Sequence, residues 1–85
     1  MEVIYKSEAL ADIDFWKKSG NKIVQKKITS LIDDICAHPY EGIGKPEALK
    51  YELSGLWSRR ITEEDRLIYK VEEDTLYVLS LKGHY

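Results

Sequence analysis

The amino-acid sequence predicts an α+β domain: a short N-terminal strand, an antiparallel pair of helices, and a small, mostly antiparallel sheet carrying the helices on one face. Two observations predict it. Apolar residues recur at helical spacing through the first half of the chain, and beyond residue 46 the pattern changes to alternation. A third sets the scale, because 85 residues make one domain near the lower end of what buries a core without disulfides or metal.

Each element has its own signal. Glu2-Val3-Ile4-Tyr5 combines β-branched and aromatic residues and reads as a strand. Ser7 suits the N-cap of a first helix, with Glu8 favourably placed in its first turn. Leu10, Ile13 and Trp16 recur at helical spacing, and Lys17-Lys18 precede Gly20, where the helix stops. Asn21 can cap a second helix, with Val24, Ile28, Leu31, Ile32 and Ile35 along one face and Lys22, Lys26 and Asp33 toward water. His38-Pro39 ends it, because proline cannot continue the ladder. Residues 39–46 contain two glycines and two prolines and form a loop. After it, Leu49–Leu53 predicts a short strand, Ser54-Gly55 a turn and Leu56–Thr62 a strand. Arg66–Val71 and Leu76–Lys82 predict two more, around the turn Glu72-Glu73-Asp74.

Composition narrows the class. A 44% hydrophobic and 33% charged chain suits a soluble globular protein rather than a disordered one. Cys36 is the single cysteine, so no internal disulfide can form and a reducing cytoplasm is the expected setting. Cys36-Ala37-His38 lacks the further ligands of a tetrahedral site, so neither a metal nor another cofactor is expected. No apolar run approaches membrane-spanning length, and Glu2 stands where a signal peptide would carry positive charge; no membrane association is expected.

Thirteen Lys and Arg against fifteen Asp and Glu give a net charge of −2, which taken alone argues against a nucleic-acid partner. The distribution points the other way. Glu63-Glu64-Asp65 and Glu72-Glu73-Asp74 fall in turns, whereas Arg59, Arg60, Arg66, Lys70 and Lys82 fall within predicted strands, and Lys45 and Lys50 in or beside the loop. With a screening length of about 8 Å at physiological salt, a local cationic groove would dominate contact binding.

Strand parity locates that groove. Ser58, Arg60 and Thr62 share one face of their strand, and Ser80, Lys82 and His84 share one face of the last, implying a solvent-facing cationic surface that could hold phosphate. Metal-free cleavage of RNA needs a base for the 2′-hydroxyl, charge stabilisation at phosphorus and an acid for the departing 5′-oxygen. Glu47, a loop carboxylate near Lys50, can serve as base; Arg60 and Arg66 offer planar forks for phosphate oxygens; His84 titrates near neutrality. Each also has an ordinary reading. A loop glutamate is usually solvated, Arg59-Arg60 suits a solvated edge or a pairing with Glu63, and a penultimate histidine often belongs to a frayed end. Trp16 and Trp57 fit a core or an interface, His38 a helix end, and Ser58 lacks the glycine elbow of a serine hydrolase.

Four blocks resemble the Txe/YoeB branch of the RelE superfamily of toxin–antitoxin mRNA interferases. They are Glu41-Gly42-Ile43-Gly44-Lys45-Pro46-Glu47-Ala48-Leu49-Lys50, Leu53-Ser54-Gly55-Leu56-Trp57-Ser58-Arg59-Arg60-Ile61, Arg66-Leu67-Ile68-Tyr69 and the ending Gly83-His84-Tyr85. The similarity spans essentially the whole chain, and four ordered blocks are far more specific than a lone motif. It implies a RelE-like, microbial-RNase-like fold and a toxin that cuts messenger RNA in the A site of the 70S ribosome without a cofactor. By resemblance Glu47 is the general base, His84 the general acid and Arg66 the transition-state stabiliser. Lys50 and Arg60 assist at phosphate, and Tyr85 orients the substrate. It also implies neutralisation by a cognate antitoxin of the YefM/Axe/Phd-like kind, and a homodimer in some members. Two other readings remain open on the same fold: a non-catalytic, ParE-like gyrase inhibitor, and a degenerate module that only binds the antitoxin.

Overall fold

In the computed structural model, which describes residues 1–83, the elements are β1 (Glu2–Tyr5), α1 (Ser7–Ser19), α2 (Lys22–Ala37), β2 (Glu47–Ala48), a 3-10 turn (Tyr51–Leu53), β3 (Trp57–Arg60), β4 (Arg66–Glu72) and β5 (Thr75–Ser80). The strands form one sheet in the order β1-β5-β4-β3-β2. β1 runs parallel to β5, and every other neighbouring pair is antiparallel. The expected α+β arrangement is thus present, with the N-terminal strand built into the sheet edge.

The helical half follows its sequence signals with two corrections. Ser7 is the first helical residue, and Lys6 occupies the N-cap position without a side-chain cap. The parallel pairing explains this: Lys6 N–H donates to Val78 O at 2.9 Å, so Lys6 stays extended and the helix begins immediately after it. Leu10 also departs from expectation, being 55% exposed, while the buried residues of α1 are Ala9 and Trp16 with Ile13 packed beside them. Gly20 closes α1 in the left-handed conformation, and Asn21 caps α2 by accepting from Val24 N–H at 3.0 Å. Val24, Ile28, Leu31 and Ile35 turn inward as their spacing requires.

The core lies between this helical pair and one sheet face, where Leu67, Tyr69, Leu76 and Val78 meet the helix residues, closed at the sheet's end by Ile61 and Leu81. Trp16 belongs to it and donates its indole N–H to Leu81 O at 2.8 Å. Trp57 is partly buried against the same cluster, and Tyr40 lies 4.9 Å away ring to ring.

The second half differs most between residues 47 and 56. The predicted strand Leu49–Leu53 is replaced by the two-residue β2 before it and by the 3-10 turn. Tyr51 has φ of 58°, incompatible with an extended run, and Leu53 N–H turns back to Lys50 O at 3.1 Å. β3 and β5 are also shorter than the predicted Leu56–Thr62 and Leu76–Lys82. At β3 the chain leaves the ladder when Ile61 and Thr62 N–H groups bond Asp65 O. At β5 a bulge opposite Ile68 and Tyr69 shifts the register, so Leu81 rather than Ser80 turns into the core.

Candidate active site

Parity along four strands assembles the outer face of the sheet, opposite the helices. Glu47 pairs with Ser58, Ser58 with Ile68, and Ile68 with Ser80, so these four form one row across the outer face. Two residues further along, Arg60 faces Arg66 directly across β3 and β4. Strand spacings of about 5 Å and rises of about 3.4 Å per residue put the Glu47 Cα roughly 8 Å from that of Arg60 and roughly 12 Å from that of Arg66. Long side chains close that gap readily. The register thus places Glu47, Arg60 and Arg66 on one face of three neighbouring strands, with no hydrogen bond or ion pair joining Glu47 to either arginine among the described residues.

Two like charges facing each other on adjacent strands are destabilising unless something offsets them. Neither Arg60 nor Arg66 forms an ion pair among the described residues. Arg66 is held by one guanidinium nitrogen, which donates to Thr62 O at 2.8 Å, Glu63 O at 3.0 Å and Asp65 O at 3.3 Å. Its remaining N–H groups have no protein acceptor among the described residues. Such a guanidinium is fixed in place yet keeps donors for a phosphate. The Asp65 carboxylate does not compete for it, being engaged by the Thr62 hydroxyl at 2.7 Å and by Gly83 N–H at 2.8 Å.

Other expected members of the groove are elsewhere. Arg59 is fully buried on the opposite face, where it pairs with Asp34 and not with Glu63. All five of its N–H donors are used. They go to Tyr69 Oη, Asp34 Oδ2, and the carbonyls of Ile43, His38 and Glu41. Tyr69 in turn donates to Pro39 O at 2.7 Å. Lys70 is 3.0 Å from Glu72, and the Lys82 ammonium lies 4.1 Å from the Phe15 ring centroid on α1. Lys50 is exposed at the start of the 3-10 turn, with no hydrogen bond linking it to Glu47, Arg60 or Arg66. His84 and Tyr85 lie outside the described residues.

The Arg59 network is the part that residue types did not announce, and it builds the loop that carries Glu47. Asp34 accepts from both Arg59 and Ile43 N–H, so residues 38–43 are drawn onto the buried guanidinium. The bond from Arg59 holds the Asp34 carboxyl below the usual carboxylate range. Gly42 passes so close that a Cβ there would overlap this carboxylate. Gly44, at φ of 78°, brings its carbonyl to Arg60 N–H at 2.7 Å, and three residues later Glu47 enters the sheet. Beside this junction Lys27, Lys45, Arg60, Thr62 and Glu63 line an open recess of about 340 Å³. A second recess of about 240 Å³ lies between the helices, lined by Tyr5, Ile13, Trp16 and Ile28, and holds none of the candidate residues. Among the described residues no group of His, Cys, Asp and Glu is arranged to hold a metal.

Residues 5–85 match the family model of the YoeB-like toxin of the bacterial type II toxin–antitoxin system. The chain belongs to the YoeB toxin family. Toxin YoeB of Escherichia coli K12 is 48% identical over the full length of both chains. Among solved structures, a YoeB/ParE toxin from Agrobacterium tumefaciens superposes with a TM-score of 0.96 at 36% identity, covering both chains completely. Two structures from Staphylococcus aureus are also similar, each covering all of this chain and 98% of the other. A YoeB–YefM complex matches at a TM-score of 0.90 and 38% identity, and a YoeB dimer at 0.91 and 37%.

Proposed function

We propose that this YoeB-family toxin is an endoribonuclease that cuts messenger RNA in the ribosomal A site by attack of the 2′-hydroxyl on the adjacent phosphorus. The observation that carries the reading is the shared face of Glu47, Arg60 and Arg66, with the two guanidinium groups opposed and free of carboxylate partners among the described residues. Glu47 takes the 2′-hydroxyl proton as the new O–P bond forms. Arg66, locked onto the turn that precedes β4, meets the charge gathering on the phosphate oxygens, and Arg60 and Lys50 assist. His84 protonates the 5′-oxygen as the old P–O bond breaks, and Tyr85 orients the nucleotide. The first products are a 2′,3′-cyclic phosphate and a 5′-hydroxyl.

The setting proposed is the cytoplasm, and the partners are the 70S ribosome with its messenger and a YefM-like antitoxin, supported by the similar YoeB–YefM complex. A second copy of the chain is a further partner, supported by the similar YoeB dimer. Single-turnover cleavage of an A-site messenger on purified 70S ribosomes tests the enzyme reading. Wild type is expected to leave cyclic-phosphate ends, while Glu47→Ala and His84→Ala, both folded, leave the messenger intact. Absence of cleavage by folded wild type would return the chain to the gyrase-inhibitor or binding-module readings.

A further inference from the structure

The turn between β3 and β4 touches the end of the chain as well as Arg66. Asp65 Oδ1 accepts from Gly83 N–H at 2.8 Å, while Arg66 N–H donates to Gly83 O at 2.9 Å, so both polar groups of residue 83 are gripped by two consecutive residues. The grip is itself braced. Asp65 Oδ2 accepts from the Thr62 hydroxyl at 2.7 Å, and that hydroxyl oxygen accepts from Glu64 N–H at 3.1 Å and Asp65 N–H at 3.0 Å. The Asp65 carbonyl closes the turn by accepting from Ile61 and Thr62 N–H groups. The same turn supplies the three carbonyls that hold the Arg66 guanidinium.

We infer that Asp65 is a positioning residue, which fixes the Gly83 peptide group, next in sequence to His84, relative to Arg66. One rigid turn fixes the guanidinium on one side and the peptide group before the penultimate residue on the other. Neither the charge of Asp65 nor its exposure is needed for chemistry; its role is to offer an acceptor in a fixed direction to Gly83. Misplacing a proton donor by about 1 Å costs on the order of 100-fold in rate.

The inference rests on the roles proposed above for Arg66 and His84, and its test separates the two. Asp65→Ala removes the acceptor; Asp65→Asn keeps one oxygen for Gly83 N–H. Single-turnover cleavage at saturating 70S ribosomes is expected to fall about 10- to 100-fold in Asp65→Ala with KM within about two-fold of wild type, and Asp65→Asn recovers most of the rate. In the free protein, the amide-exchange protection and 15N order parameter of Gly83 fall in Asp65→Ala and are kept in Asp65→Asn. Loss of rate matching the unfolded fraction by circular dichroism, a change in KM alone, or an Asn variant no faster than Ala would overturn the assignment. If wild type cleaves nothing, the enzyme reading fails, and the order parameters then decide positioning: unchanged values in Asp65→Ala sink it.

Discussion

Arg59 and Arg60 are adjacent, yet one is fully buried and the other exposed. Burying a guanidinium is tolerable only if its donors are satisfied, and Arg59 meets that condition with five acceptors, four of them in residues 34–43. On the sequence reading Arg59 stands among the solvated strand cations, although strand parity opposes that placement. Trp57, Arg59 and Ile61 alternate with Ser58, Arg60 and Thr62, so Arg59 falls on the apolar side of the strand. The identity of its partner was not readable, because Asp34 is 25 residues away on a helix and nothing local distinguishes it from Asp33. Arg59→Ala leaves a cavity and several unpaired polar groups, and is expected to lower stability by about 3 kcal/mol or more, measured by urea unfolding. Asp34 adds a pH signature. Its carboxyl is held low in the folded state, so its stabilisation is complete above the unfolded value of about 3.9 and is lost as pH falls through the folded one. Asp34→Asn is expected to be less stable at pH 7 and to show a flatter stability curve below pH about 4. Parallel curves for variant and wild type would remove Asp34 from the acid transition.

At the scale of elements, the face shared by β2, β3 and β4 carries a like-charged pair that works against the sheet. Arg60 opposite Arg66 has no local structural reason, since a like-charged pair directly across two strands opposes sheet formation. Replacing Arg60 by Gln is therefore expected to stabilise the fold, by roughly 0.2 to 1 kcal/mol, while lowering the cleavage rate at saturating ribosomes. A variant that lost both stability and activity would show Arg60 to be a structural residue. The elements themselves were legible where periodicity was long. The inward residues of α2, the Asn21 cap and the β4–β5 hairpin follow directly from spacing and turn residues. The failures are local and physical. Alternation in Leu49–Leu53 predicted a strand, but Tyr51 takes a positive φ that pattern alone does not encode. The parallel docking of β1 on β5, which also removes the Ser7 cap, depends on a contact between residues about 70 positions apart. That same sheet order puts β2 on the edge against β3, with Glu47 one strand from Arg60 and two from Arg66.

For the whole molecule, the net charge of −2 describes the wrong quantity. Binding to RNA is governed by cations that reach phosphate, each releasing counterions, and not by the sum over the surface. Several cations are already occupied: Arg59 by Asp34, Lys18 by Asp14 and Lys70 by Glu72. Three of the others, Lys27, Lys45 and Arg60, lie around one open recess where α2, the loop and β3 meet, with Glu63 its single carboxylate. If this corner meets the RNA backbone, ribosome binding weakens with salt despite the acidic composition. Lys27→Ala is then expected to weaken binding and to flatten the plot of log affinity against log salt by about 0.7 to 1. Lys18→Ala, which removes an exposed helical ion pair on α1, serves as the matched control and should leave that slope nearly unchanged. Ribosome co-sedimentation over a salt series reads both. Programming the ribosomes with or without an A-site messenger separates messenger phosphates from ribosomal ones, because a slope change seen only with messenger assigns Lys27 to the substrate strand. Equal slopes for Lys27→Ala, Lys18→Ala and wild type would take Lys27, and with it the α2 side of the recess, out of the RNA-binding surface.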